Sequence, residues 1–136
     1  MSALPPRPEP RITHESKAYW AAARTGRLMI ATCGNCHRLH HAPQAVCPFC
    51  WSSNVITRAA GGRGTLQAFS VVHQTAVPEF RVRLPYVVAY VDLEEGVSLV
   101  SNIVNCDLDK VRIGMAVKAV FEPMSDKSAA ILFEPA

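Results

Sequence analysis

A chain of 136 residues and 14.8 kDa fits one domain, or one domain with a small module appended. Hydrophobic residues at 49% against charged residues at 18% exclude a disordered chain, and no uncharged apolar run approaches the ~18 residues that span a bilayer. The formal charge of +3 falls to about +1 if four cysteines hold one zinc as thiolates, which removes the bulk electrostatic drive toward nucleic acid or anionic membrane.

Residues 1–12 carry Pro5, Pro6, Pro8 and Pro10 and lack the apolar stretch of a secretory signal, so they read as an extended arm with little to bury, on a cytoplasmic protein. Thr13 is the expected N-cap of a helix over residues 14–25, with Glu15 in its first turn and Gly26 at C′. Tyr19, Trp20 and Ala23 form its apolar stripe. That stripe either docks on the chain's own body or packs on a partner subunit, in which case the chain is a homo-oligomer. Residues 28–32 read as a strand running into a cysteine-rich segment, with residues 54–57 returning. Gly61, Gly62 and Gly64 mark a flexible hinge. The expected organisation is an arm and helix over 1–26, a zinc ribbon over 27–60 and a β-barrel over 61–136.

The remainder has β-character. Residues 65–74 are rich in β-formers and Pro78 interrupts. Tyr86–Leu93 then alternates, with Val87, Ala89, Val91 and Leu93 on one face and Tyr86, Val88, Tyr90 and Asp92 on the other. Glu94-Glu95-Gly96 makes a hairpin connection to a strand over 97–104. A helical turn capped by Asp107 follows over 107–112. Strands are expected over 115–122, with Val117, Ala119 and Phe121 inward, and over 129–133. Five strands in about 70 residues, with a helical turn between the third and fourth, suit an OB-type barrel, and an SH3-like barrel is the competing closure. The fold class is therefore mainly β.

Cys33-Gly-Asn-Cys36 and Cys47-Pro-Phe-Cys50 are two C-x2-C knuckles, each able to present two thiolates from one turn, and Gly34 and Pro48 suit such turns. Together they complete a closed S4 site, the donor set of structural zinc; iron is the alternative metal and a pair of disulfides the alternative chemistry. Four thiolates leave no open coordination position, so the metal folds the module and catalyses nothing. The fifth cysteine, Cys106, reads as a small buried apolar residue. His37, His40 and His41 read as a solvated face of the ribbon, and His73 as a core histidine.

No Gly-x-Ser-x-Gly, P-loop or dinucleotide fingerprint is present. Glu94 and Glu95 are adjacent on a hairpin tip and cannot face one another as an acid–base pair. The chain alone does not read as an enzyme. Arg58, Arg63, Arg81 and Arg83 flank the first barrel strands and are available to an anionic ligand or to solvent.

Tyr19-Trp20, Gly26, Leu28, the two knuckles, Gly62-x-Gly64-Thr65, Pro85-Tyr86-Val87-Val88-Ala89, Asp92-Leu93-Glu94-Glu95-Gly96-Val97 and Ile113-Gly114-Met115-x-Val117 give the chain a family likeness over residues ~13–134. It resembles the small proteins with a rubredoxin-like zinc ribbon followed by an OB-fold, long described as a domain of unknown function. The resemblance implies an accessory or scaffold subunit in acyl-CoA metabolism, bound to a thiolase-like enzyme: a retro-aldolase, acyltransferase or thiolase. That partner carries the catalytic residues. In some members the coenzyme A ester also contacts the accessory chain. Tyr86 and Tyr90, on the outer face of one strand, are the expected partner-interface residues. The competing class is single-stranded nucleic-acid binding, in which the same tyrosines stack bases; aromatic residues at 7% and the near-neutral charge argue against it.

Overall fold

The computed structural model describes residues 4–136. Helix α1 (Lys17–Arg24) is followed by β1 (Met29–Cys33), β2 (Leu39–His40) and β3 (Val55–Ala59), which form a three-stranded antiparallel sheet in the order β2-β1-β3. The chain continues through β4 (Arg63–Val72), α2 (Pro78–Arg81), β5 (Tyr86–Leu93), β6 (Ser98–Ile103), a 3-10 turn (Leu108–Lys110), β7 (Ala116–Pro123) and β8 (Ala129–Pro135). These last five strands close into a barrel in the order β4-β5-β6-β8-β7, with β7 pairing back onto β4. The closure and the 3-10 turn between the third and fourth barrel strands are those of an OB-fold.

Helix α1 is shorter than the sequence suggests. Ser16, not Thr13, holds the N-cap position of α1. Thr13 caps the preceding turn: its hydroxyl accepts the Ser16 N–H at 3.1 Å while the Ser16 hydroxyl accepts the Thr13 N–H at 2.9 Å. The far end closes as a Schellman motif, with Gly26 at φ +83°, the Arg27 N–H on the Ala22 carbonyl and the Gly26 N–H on the Ala23 carbonyl. Tyr19, Ala22 and Ala23 are buried, and Tyr19 belongs to the main core. The helix therefore docks on the chain's own body.

That core is continuous from ribbon to barrel. Leu28 and Ile30 of the ribbon lie in one cluster with Leu66, Val91, Val117 and Phe133. The alternation of β5 holds as read: Val87, Ala89, Val91 and Leu93 are buried, and the opposite residues are not. Pro78 interrupts the strands as expected, and it begins the short helix α2, occupying its first turn where no N–H is needed. The expected hinge fails. The Gly61–Gly64 segment is tied down, not a hinge. Gly61 N–H donates to Glu95 Oε2 at 2.8 Å, and Gly62 accepts the Ala119 N–H at 2.7 Å. Gly64 lies within β4, where a Cβ would stand 2.5 Å from the Asp92 carbonyl oxygen.

The proline arm also has partners. Arg7 Nε lies 2.7 Å from Glu122 Oε2, and its Nη1 donates to Asn102 Oδ1 at 3.1 Å. Glu9 accepts hydrogen bonds from the Ser125 and Ser128 hydroxyls, which hold its carboxyl below the usual range. The arm is thus strapped along β7 and the turn into β8. Its first three residues lie outside the described part.

Candidate metal centre and exposed surfaces

The knuckles are built alike. Each is a tight turn closed by a backbone bond, from the His37 N–H to the Cys33 carbonyl at 2.9 Å and from the Trp51 N–H to the Cys47 carbonyl at 3.0 Å. The first knuckle lies against the returning chain, with the Gly34 N–H on the Asn54 carbonyl at 2.7 Å. A Cβ on Gly34 would collide with the Asn54 side chain, at 2.3 Å from its Nδ2. His37 and Trp51, each following the second cysteine of its knuckle, have φ of +65° and +67°. This left-handed position suits glycine and costs other residues about 1 kcal/mol or more.

The four sulfurs converge. Cys33, Cys36, Cys47 and Cys50 place their Sγ atoms within 4.8 Å of one another, with Cys33–Cys50 at 3.5 Å and Cys36–Cys47 at 3.7 Å. A zinc ion with Zn–S bonds of ~2.3 Å needs tetrahedral S···S separations of ~3.8 Å, so the donor set fits a closed S4 zinc site. All five cysteines are free thiols. Amide hydrogens already point at the sulfurs: Cys36 N–H and Asn35 N–H at 3.3 Å from Cys33 Sγ, and Phe49 N–H at 3.4 Å from Cys47 Sγ. The Cys36 amide, with the Asn35 amide and neighbouring thiols, brings the Cys33 thiol down to about 6 against the opposing effect of burial. Cys36 goes the other way: against the Arg38 amide, burial and the neighbouring Cys47, Cys50 and Cys33 thiols push it up to about 11, so the four sulfurs are not alike.

The histidines differ from expectation. His37 is exposed, but His40 is buried and His41 half-buried, because the loop folds back under α1. The Tyr19 phenol and His41 Nε2 share a hydrogen bond of 2.5 Å. Burial, with a smaller contribution from His40, brings the His41 pKa down to about 4, and burial pushes the Tyr19 phenol well above its usual range. His73 lies beyond the end of β4 and is exposed, so it is not a core histidine. Cys106 is half-buried, with its Sγ 3.5 Å from the Asp107 carbonyl oxygen. Glu95 is turned toward Gly61 while Glu94 is exposed, so no carboxylate pair forms.

The four arginines divide. Arg83 is engaged with the Glu79 and Pro5 carbonyls and lies 3.7 Å from Glu122, and Arg81 binds the Thr75 and Ala76 carbonyls. Arg58 and Arg63 are exposed and make no ion pair among the described residues. Arg83 and Arg7 also border a groove of about 840 Å³ at one end of the barrel, floored by Val87, Ile103 and Leu132.

On the outer face of β5, Tyr90 is 40% exposed and lies opposite Val100 of β6, itself exposed. Tyr86 is half-buried, its ring 5.8 Å from that of Phe80 on α2. The strand face is therefore open at Tyr90 and partly covered at Tyr86. Pattern reasoning passes over Phe49 and Trp51, the latter 82% exposed. The available clue is an aromatic residue directly after the last cysteine, a turn position whose left-handed φ favours glycine.

A sulfur-lined ribbon packed on a five-stranded closed barrel defines a zinc-ribbon/OB-fold protein. Family models match both parts: the ChsH2 rubredoxin-like zinc ribbon domain over residues 20–55 and the ChsH2 C-terminal OB-fold domain over residues 57–122. The chain belongs to this ChsH2-type, or DUF35, family. A Thermomonospora curvata protein named "Probable enoyl-CoA hydratase alpha subunit" is 37% identical over 130 residues, which is 96% of this chain and 40% of that protein. The chain thus spans two-fifths of that relative's length. A "DUF35 domain-containing scaffold protein" of Methanocaldococcus jannaschii is 35% identical over 100 residues, covering 73% of this chain and 70% of its own. Among solved structures, a chain of "Ltp2-ChsH2(DUF35) aldolase" superposes with a TM-score of 0.81 at 35% identity, covering 93% of this chain and 98% of that one. No helix among the described residues is long and apolar enough to cross a membrane.

Proposed function

We propose that this chain is a non-catalytic accessory subunit that binds a thiolase-like enzyme of acyl-CoA metabolism in the cytoplasm. The observation that carries this reading is the near-complete superposition on the DUF35 chain of an aldolase. The side chains support it. Four thiols converge on a metal site and the Tyr19–His41 pair is enclosed beneath α1, so these side chains are engaged in holding the fold.

Zinc, held by Cys33, Cys36, Cys47 and Cys50, supplies folding free energy to a ribbon too small to hold its shape alone. The open part of the β5 face, with Tyr90 as anchor and Tyr86 as its supported neighbour, contacts the partner enzyme. The exposed Arg58 and Arg63 are the cations available to the phosphates of a coenzyme A ester in such a complex. Retro-aldol and thiolase turnover, measured with the purified chain, the purified thiolase-like subunit and the mixture, tests the assignment. Turnover is expected with the mixture and absent with the chain alone. Robust turnover by the chain free of partner would refute it.

A further inference from the structure

We propose that the tip of the ribbon, formed by Val46, Phe49 and Trp51, is a docking knob that enters an apolar pocket on the thiolase-like subunit with a carboxylate facing Arg38; this deepens the accessory-subunit reading and rests on it. Trp51 is the least explicable residue of the fold on internal grounds. It stands at φ +67°, where glycine is the unstrained choice, and its side chain is 82% exposed. Its indole makes no hydrogen bond or ring contact within the described residues. A bulky side chain in a strained position that packs on nothing serves no folding need, and such outliers mark function.

Phe49, 51% exposed, and Val46, 44% exposed, lie on the same knuckle loop. The Arg38 guanidinium, from the first knuckle, sits 5.1 Å above the Phe49 ring. Tryptophan beside an aromatic–arginine pair is the composition of an interface anchor. The charge pattern selects the partner surface. Of the ribbon's arginines, Arg38 is the one placed at the tip, against Phe49; Arg58, paired with Ile30, lies toward the barrel end of β3. The matching surface therefore sets a carboxylate facing Arg38 beside an apolar centre.

Single-stranded nucleic acid fits less well. Arg38 covers one face of Phe49, which leaves Trp51 as the one fully open platform of the tip. Residues 61–136 hold nine acidic and seven basic side chains, so the barrel offers phosphates no continuation of the ribbon's cationic surface.

Trp51→Gly removes the indole while giving the backbone its preferred residue, so zinc content and melting temperature are retained; Trp51→Asn, which also tolerates a left-handed φ, is the second variant. Wild type and both variants, each with zinc measured, are titrated by calorimetry against the purified thiolase-like subunits of the same genome, at low and high ionic strength. The expected result is a dissociation constant raised at least about tenfold in both variants, with one zinc retained. Arg38→Gln is expected to flatten the salt dependence. Equal binding by wild type and zinc-loaded variants overturns the docking knob and leaves the accessory-subunit reading standing. Failure of the wild type to bind any such subunit overturns both. Tight binding of oligothymidylate that quenches Trp51 and disappears in Trp51→Gly overturns the protein pocket and puts a nucleic acid in its place.

Discussion

Replacing Gly64 with Ala tests how the barrel closes. At this residue β4 pairs with Leu93 of β5 on one side and Val117 of β7 on the other. The added methyl would lie 2.5 Å from the Asp92 carbonyl oxygen and 2.9 Å from Val91 Cγ1. A relaxed carbon–oxygen contact is ~3.3 Å, so roughly 0.8 Å of overlap must be relieved. The nearest obstacle is backbone, and moving it separates β4 from β5 at the pair that also holds β7. The cost is expected at the upper end of overpacking, about 3 kcal/mol. For a chain of this size that lowers the melting temperature by about 10 °C. Gly61→Ala is the control: its nearest neighbour, Glu95 Oε2, is at 3.5 Å, and the change should stay within about 0.5 kcal/mol. Thermal unfolding of the zinc-saturated proteins, followed by circular dichroism, measures both. Gly64→Ala melting within about 2 °C of Gly61→Ala would refute the close-approach argument and restore the flexible hinge.

Metal analysis should find one zinc per chain. Cys47→Ser should lose it and unfold the ribbon, while Cys106→Ser should keep it; unchanged zinc in Cys47→Ser would contradict the S4 site. His41 links stability to pH. Its folded pKa of about 4 lies below the unfolded value of ~6.5, so the unfolded chain takes up the proton first. Stability is full above pH ~6.5 and falls by up to about 3 kcal/mol as pH drops toward 4. His41→Gln should flatten the difference in denaturant midpoints across that window, and an unchanged slope would remove the buried imidazole from the account. Tyr90→Ala should weaken assembly with the partner enzyme by at least about 1 kcal/mol without loss of zinc, read by titration calorimetry; wild-type affinity would exclude the β5 face from the interface.

What the sequence revealed was the local part. A two-residue spacing between cysteines fits one turn whatever surrounds it, so the metal centre was legible at once. Strict alternation in Tyr86–Leu93 fixed the buried face of β5 because the strand period is two. What depends on tertiary context was not legible. His40 and His41 are polar residues in a loop, and only the return of that loop beneath α1 buries them. Gly64 looks like a third hinge glycine until β5 is placed beside it. The strapping of the arm through Arg7 and Glu9 joins residues more than 90 positions apart, which no local pattern encodes. Trp51 was hidden for a different reason: its exposure and left-handed backbone are properties of the knuckle's shape, not of composition.

Co-expression of the tagged chain with a thiolase-like subunit of the same genome, followed by size-exclusion chromatography with light scattering, tests the accessory-subunit reading most directly. The account predicts co-elution at a fixed stoichiometry, with zinc present in the complex. A chain that elutes alone beside every such subunit, while binding single-stranded oligonucleotide tightly, would contradict it.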